Sequence, residues 1–242
     1  MVTSVQEPTG TADNVLTLHE LAMGEIDIEG RLVEASNATL FGSIHVDDHS
    51  LGNVIYKPVS GERPLWDFPH GTLAQREVAA YELSEALGWD LVPPTLLREG
   101  PYGLGMVQSW IQIDEEVEIV EVAQGDHPDI IRMALFDALI NNTDRKFGHL
   151  LPIGGRIYGC DHGVTFHQED KLRTVLWQFR GDPIPQGLLA DLDRLETVLP
   201  ILEELIHPEE IAALLARRES LLTSGTYPLP SQDWPAVPWP PF

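Results

Sequence analysis

Apolar residues follow two periods along this chain. From Gly30 to Val46 they alternate with polar ones, the period-two pattern of a β-hairpin, here turning near Ser36-Asn37-Ala38-Thr39. Asn53 to Lys57 adds a further apolar strand, ended by Pro58 and the turn Ser60-Gly61. Thr95 to Arg98 and Leu104 to Ile111 predict a second hairpin about Pro101-Tyr102-Gly103. Helical spacing interrupts this twice. Asn14 is placed to cap a short helix, Val15 to Met23, stopped by Gly24. Thr72 is placed to cap a longer one, Leu73 to Leu87, with Ala79, Ala80, Leu83 and Leu87 on one face and Gly88 at its end. Beyond residue 112 the helical period dominates. His127-Pro128-Asp129 opens a dense apolar run, Ile130 to Ile140, and further runs cover 186–199, 201–206 and 208–222. One short β-hairpin, Leu150–Ile153 with Arg156–Cys160 around Gly154-Gly155, sits inside the helical half.

The expected organisation is α+β and two-lobed. Residues 1–13 form a polar, disordered N-terminus, and 14–111 a β-rich N-lobe. Residues 112–223 form an α-rich C-lobe, and 224–242 a tail with six Pro and two Trp. That tail would run extended, packing across the body or offering a surface to a protein partner.

Charge narrows the function. The 242 residues carry 38 Asp and Glu against 15 Lys and Arg, a net charge of -23. Such a chain is repelled by nucleic-acid phosphates and by anionic membrane surfaces, so nucleic acid is not the expected partner. The segment Asp114 to Asp126 holds six of the acids and reads as a solvated surface. A single cysteine, Cys160, excludes an internal disulfide and a multi-cysteine zinc site. No apolar stretch has the length of a membrane span and no leader opens the chain, so membrane insertion is not expected and the expected compartment is cytoplasmic.

The candidate chemistry gathers after the buried helix, in Asn141-Asn142-Thr143-Asp144-Arg145-Lys146-Phe147-Gly148-His149, and after the hairpin, in Asp161-His162-Gly163. Asp144 could orient a hydroxyl nucleophile, and Lys146 could neutralise a moving phosphoryl group. His149 and Asp161 could hold a divalent metal. An acid, a cation at +2, a ligand at +5 and a second acid opening an Asp-x-Gly turn is the layout of a kinase catalytic loop and metal loop. Lys57, ending its strand, fits a lysine that clamps nucleotide phosphates, and Glu77 in the next helix could orient it. The bland readings are a surface ion pair for Asp144 and Arg145, solvated lysines at 57 and 146, a core histidine at 149, and simple packing for Trp66, Trp110 and Trp177. The turn at Ser36, Asn37 and Thr39 could offer backbone N–H groups to phosphates, although an ordinary hairpin looks the same.

Several of these segments occur in one order. Tyr56-Lys57-Pro58, Arg76-Glu77-Val78-Ala79-Ala80-Tyr81, Leu87-Gly88, Val92-Pro93-Pro94-Thr95, Asn142-Thr143-Asp144-Arg145 and Asp161-His162-Gly163 together resemble the phosphatidylinositol 3/4-kinase superfamily, in its compact type II 4-kinase-like branch. The resemblance covers about residues 30 to 180. It implies a two-lobed, protein-kinase-like fold and γ-phosphate transfer from ATP with Mg²⁺ or Mn²⁺ to a hydroxyl acceptor: a protein Ser/Thr, a small polar molecule or an inositol lipid. It implies that Lys57 binds phosphates and pairs with Glu77, that Asp144 is the catalytic aspartate and Asp161 the metal ligand, and that Met106, Val107 and Gln108 face adenine. Three features depart from the family. His149 stands where a metal-binding Asn is usual, which tilts preference toward Mn²⁺. The first hairpin lacks a glycine-rich loop. The substrate loop carries only Lys171, Arg173 and Arg180 as cations. These departures motivate the alternative of a pseudokinase, a nucleotide-binding or scaffolding module without turnover, and a weaker third reading, transfer of AMP in place of phosphate.

Overall fold

A computed structural model describes residues 15–32 and 37–242. The expected disorder of 1–13, the cap at Asn14 and the phosphate-binding role of Ser36 lie outside these residues.

The first helix, α1 (Leu18–Met23), is shorter than the apolar run suggests because Thr17 stops it. The Thr17 hydroxyl accepts from the Glu20 N–H at 3.3 Å, and the Glu20 carboxylate accepts from the Thr17 N–H at 2.8 Å. This reciprocal box satisfies donors that a helix start otherwise leaves bare.

Five antiparallel strands follow: β1 (Glu25–Arg31), β2 (Leu40–Val46), β3 (His49–Pro58), β4 (Thr95–Gly100) and β5 (Gly103–Ser109), in the order β1-β2-β3-β5-β4. The strand that ends in Lys57 is longer than the sequence suggested. It begins at His49, after a two-residue turn at Asp47-Asp48 in which Asp47 takes φ 52°. Alternation decides which residues face the rest of the protein. Val54, Tyr56 and Val107 pack outward under α1 with Leu16, Leu21 and Ile44. Ile55 and Met106 pack on the opposite face against Ala74 and Val78. Gly105 sits beside Lys57 with no room for a side chain, since a Cβ there would lie 2.6 Å from the Lys57 carbonyl oxygen.

The helix α2 (Leu73–Leu87) joins this sheet to the helical half. Thr72 does not cap it: its hydroxyl donates to Pro69 O, and the Glu62 carboxylate accepts from the N–H groups of Leu73 and Ala74 at 3.2 and 2.9 Å. A carboxylate at this end is also favoured by the helix dipole. Gly88 closes the helix at φ 71°, the left-handed conformation that glycine adopts without a Cβ clash. Ala79, Ala80, Leu83 and Leu87 bury themselves in the large C-terminal core with Phe136, Leu139, Leu195 and Leu214. Arg76 is fully buried and ties α2 to that half. It pairs with Glu210 at 2.6 Å, donates to the Thr165 carbonyl at 2.8 Å and lies over the Phe68 ring.

The remaining elements are α3 (Ile119–Gln124), α4 (Pro128–Ile140), the hairpin β6 (Leu150–Ile153) with β7 (Arg156–Gly159), α5 (Gln186–Asp191), α6 (Leu195–Leu205) and α7 (Pro208–Ser224). Two expectations change. The acidic segment contains a helix, α3, because Ala123 is buried and Val120 and Val122 pack against the core. The break expected at Pro200 is absent, and α6 runs through it. The architecture is α+β, with a β-sheet N-terminal region and a helical C-terminal region, as the alternation of periods predicts.

Candidate active site

Asn141 ends α4 in the left-handed conformation, φ 52°, and turns the chain into the 142–149 loop. That loop is held from beneath. Asp137, fully buried on α4, accepts from Arg145 Nη2 at 2.9 Å, from Arg145 Nε at 3.1 Å, from Asn142 Nδ2 at 3.0 Å and from Thr174 Oγ1 at 3.2 Å. Arg145 also donates to the Cys160 carbonyl at 3.0 Å and lies 2.6 Å from His162 Nε2. Arg145 is therefore no surface partner of Asp144. It is a fully buried cation that joins the 142–149 loop to the 160–162 loop, and its charge is compensated by carboxylate and carbonyl oxygens. Burial holds His162 neutral, far below the usual histidine value, so its ring nitrogen accepts from the guanidinium.

Above this support stand the predicted site residues. Lys57 Nζ is 2.6 Å from Glu77 Oε1 and 2.7 Å from Asp161 Oδ1. Burial works against the lysine charge, but the two carboxylates outweigh it and hold the ammonium well above its ordinary value. The same lysine holds the Asp161 carboxyl well below the usual range, against its burial. Burial raises Glu77, and its second oxygen accepts from the His162 N–H at 2.7 Å. Asp161 itself takes φ 59°, an unusual conformation for a non-glycine residue. Asp144 lies 3.3 Å from Lys146 Nζ and 3.7 Å from Arg173 Nη2. Burial raises its carboxyl above the ordinary value despite Lys146.

His149 Nε2 lies 3.5 Å from Asp161 Oδ2, and burial pushes the imidazole down to about 4, so it is neutral near pH 7. Its Nδ1 is buried without a hydrogen-bond partner among the described residues. A neutral imidazole nitrogen and an ionised carboxylate oxygen at this spacing fit two neighbouring ligands of one cation, since bonds of roughly 2.0–2.2 Å set at right angles or slightly wider place ligand atoms about 3–3.5 Å apart. Among the described residues no third metal-ligating side chain joins them. Any cation here would take its remaining ligands from a bound phosphate or water.

A cavity of about 450 Å³ opens beside these groups, lined among others by Lys57, Glu77, Asp144, Asp161, Arg173 and Trp234. Asn37 also lines it, whereas Thr39 is buried and does not. The strand residues expected to face adenine divide. Met106 packs toward α2, Val107 points to the opposite face of the sheet, and Gln108 spends its side-chain amide on Thr95 at 2.8 Å. None of the three side chains lines the cavity: alternation turns Val107 to the far face, while Met106 and Gln108 are taken up by packing and by Thr95. Cys160 is inert: burial pushes its thiol up to about 12.

Four contributors escape a reading of the sequence. Asp137 carries a faint signal, a lone acid inside the apolar run Met133–Ile140. Arg173 shows only as one of three substrate-loop cations, with nothing to place it beside Asp144, and Glu62 and Trp234 carry no signal, because their positions depend on loops and on the path of the tail. Trp66, expected to pack, is 84% exposed at the cavity rim.

No family model matches the chain. Solved structures share its fold, two of them as follows. Hydra Fam20, solved with sugar, aligns with TM-score 0.57 at 14% identity over 86% of each chain. The Helicobacter pylori proinflammatory kinase CtkA aligns with TM-score 0.51 at 14% identity over 85% of this chain and 94% of that one. These likenesses give an atypical protein-kinase-like fold. At the level of sequence, Protein Rv2133c of Mycobacterium tuberculosis is 44% identical over 263 residues, spanning 92% of this chain and 94% of that protein. This chain belongs to the family of the mycobacterial Protein Rv2133c.

Proposed function

We propose that the protein is an ATP-dependent phosphotransferase of the phosphatidylinositol 3/4-kinase-like type, passing the γ-phosphate to a hydroxyl acceptor. The observation that carries this reading is the bridge Glu77–Lys57–Asp161, which lines one cavity together with Asp144. Lys57, kept charged and fixed by two carboxylates, offsets phosphate charge without having to reorganise. Asp144 orients the acceptor hydroxyl and takes its proton as the acceptor oxygen bonds to phosphorus and ADP leaves. Its raised pKa makes it a better base than an ordinary aspartate. Lys146, 3.3 Å away, offsets charge on the group in transit. Asp161 and His149 would hold Mg²⁺ or Mn²⁺, which supplies charge neutralisation at the phosphates. The imidazole ligand favours Mn²⁺.

The pseudokinase reading has one observation in its favour, the pair of metal ligands where no third side chain converges among the described residues. One experiment separates the two readings. With γ-labelled ATP and either metal, the enzyme reading expects transfer or slow hydrolysis. It also expects a rise in melting temperature of about 5–10 °C at saturating metal–ATP, taking a hundredfold excess over Kd as roughly 2.7 kcal/mol. Lys57→Ala removes most of that rise. Binding without turnover under both metals leaves the pseudokinase. Neither binding nor turnover rejects the enzyme and leaves only a scaffolding module, and a product heavier by AMP in place of phosphate would move the chemistry to nucleotidyl transfer.

A further inference from the structure

Resting on the phosphotransferase reading, we infer that the hydroxyl acceptor is a small molecule and not a polypeptide, and that Trp234 of the C-terminal tail helps to select it. The argument begins with the backbone next to Asp144. Arg145 pairs with the segment that starts at Arg173: the Arg145 N–H donates to the Arg173 carbonyl at 3.0 Å, and the Val175 N–H donates to the Arg145 carbonyl at 3.2 Å. An extended peptide presenting a hydroxyl to Asp144 would need main-chain partners along this segment. They are already taken, those of Arg173 and Val175 by the 142–145 loop and those of Thr174, Gly181 and Ile184 by the tail. The Thr174 N–H donates to the Ala236 carbonyl at 3.0 Å, Gly181 to Tyr227 at 3.1 Å and Ile184 to Gly225 at 2.8 Å. The Trp177 indole N–H adds a bond to Ala236 O at 2.7 Å. Further on, the Phe147 N–H, inside the 142–149 loop, donates to the Pro241 carbonyl at 2.8 Å, and the Phe147 and Phe242 rings meet at 5.3 Å. The protein's own chain thus lies where a peptide acceptor would have to lie.

The tail also builds the cavity wall. Trp234 lines it on the side of Arg173. Lys171 Nζ sits between two indoles, 4.7 Å from the Trp66 ring centre and 5.2 Å from that of Trp234, and is fixed by Asp67 at 3.0 Å. Trp66 and Asp67 come from the loop between β3 and α2, Lys171 from beyond the metal loop, and Trp234 from the tail. This clasp draws three separate segments together, and its Trp66, Asp67 and Trp234 line the cavity. The whole cavity holds about 450 Å³, the scale of a single small-ligand site, and the nucleotide must share it, which leaves room only for a compact acceptor. The recognition chemistry is two indoles, Trp66 and Trp234, two guanidiniums, Arg63 and Arg173, and a carboxylate base, which suits a compact molecule with a hydroxyl and a face to lay against an aromatic ring.

The test uses the full chain with γ-labelled ATP and Mn²⁺, presented in parallel with a Ser/Thr/Tyr peptide library and with the sub-kilodalton fraction of a mycobacterial extract. Label is expected in the small-molecule fraction and not in peptides. Trp234→Ala should raise KM for that fraction about tenfold, as for the loss of one aromatic contact, with a far smaller change in the ATP-induced thermal shift. Trp234→Phe should restore most of the loss, which a merely misfolded tail would not allow. Label in the peptides, an unchanged KM in Trp234→Ala, or ATP hydrolysis with label in neither fraction would each overturn the inference while leaving the phosphotransferase reading in place. Absence of ATP binding would remove both.

Discussion

Asp161→Asn should lower phosphoryl transfer by about 10³-fold, the scale of removing one preorganised charge from a transition-state site. The amide keeps the shape of the carboxylate but forfeits two things at once. It no longer draws Lys57 Nζ with a full charge across 2.7 Å, and it offers His149 a weaker partner in holding a cation. Lys57 retains Glu77 at 2.6 Å, so the lysine should stay charged and ATP binding should fall much less than turnover. Steady-state kinetics with metal varied at fixed ATP reads this directly: the loss should lie in kcat and in the metal requirement. A variant within about threefold of the parent would show that Asp161 is a structural ion-pair partner of Lys57 and nothing more.

Asp137→Ala should cost about 3–5 kcal/mol of stability, because it strands the buried Arg145 guanidinium. For a chain of this size that corresponds to roughly 6–20 °C in melting temperature. The loss reaches the candidate site as well, since Asp137 fixes Asn142, Arg145 and Thr174 together. A doubly apolar replacement, Asp137→Leu with Arg145→Met, should recover part of the stability by removing both charges. It should not recover turnover, because the bonds from Arg145 to Cys160 O and His162 are gone as well. Calorimetry on the three proteins checks this. A single variant melting within about 2 °C of the parent would show that the buried network carries little of the fold.

The sequence carried the parts of the molecule that local physics sets. Alternation and helical spacing placed β2, α2 and α4 because each must bury one face. Spacing brought Asp144, Lys146 and His149 onto one loop, and the Gly154-Gly155 hairpin returned Asp161 to His149, as the run of strand, turn and strand implies. What stayed hidden depends on long-range placement. Glu62 displaces Thr72 as the cap of α2 only because the loop after β3 folds back onto the helix. Arg145 looks like half of a surface pair until α4 is known to present Asp137 beneath it. The resemblance carries Met106 and Val107 over together, yet neighbours on a strand face opposite ways. Trp66 was taken for a packing residue since tryptophan usually is, while its loop leaves it at the cavity rim. The tail's composition showed that it would be extended, but not that it would lie along residues 174–184.

The central claim is that His149 and Asp161 share one cation with a bound triphosphate, in the site that also holds Asp144. Pulsed electron paramagnetic resonance on the protein with Mn²⁺ and a nonhydrolysable ATP analogue tests it most directly. The account predicts both ¹⁴N coupling from one imidazole and ³¹P coupling from the phosphates, with the ¹⁴N signal lost in His149→Gln and the ³¹P signal retained. Manganese that couples to phosphorus alone in the parent protein, or that shows ¹⁴N coupling indifferent to His149, would contradict it.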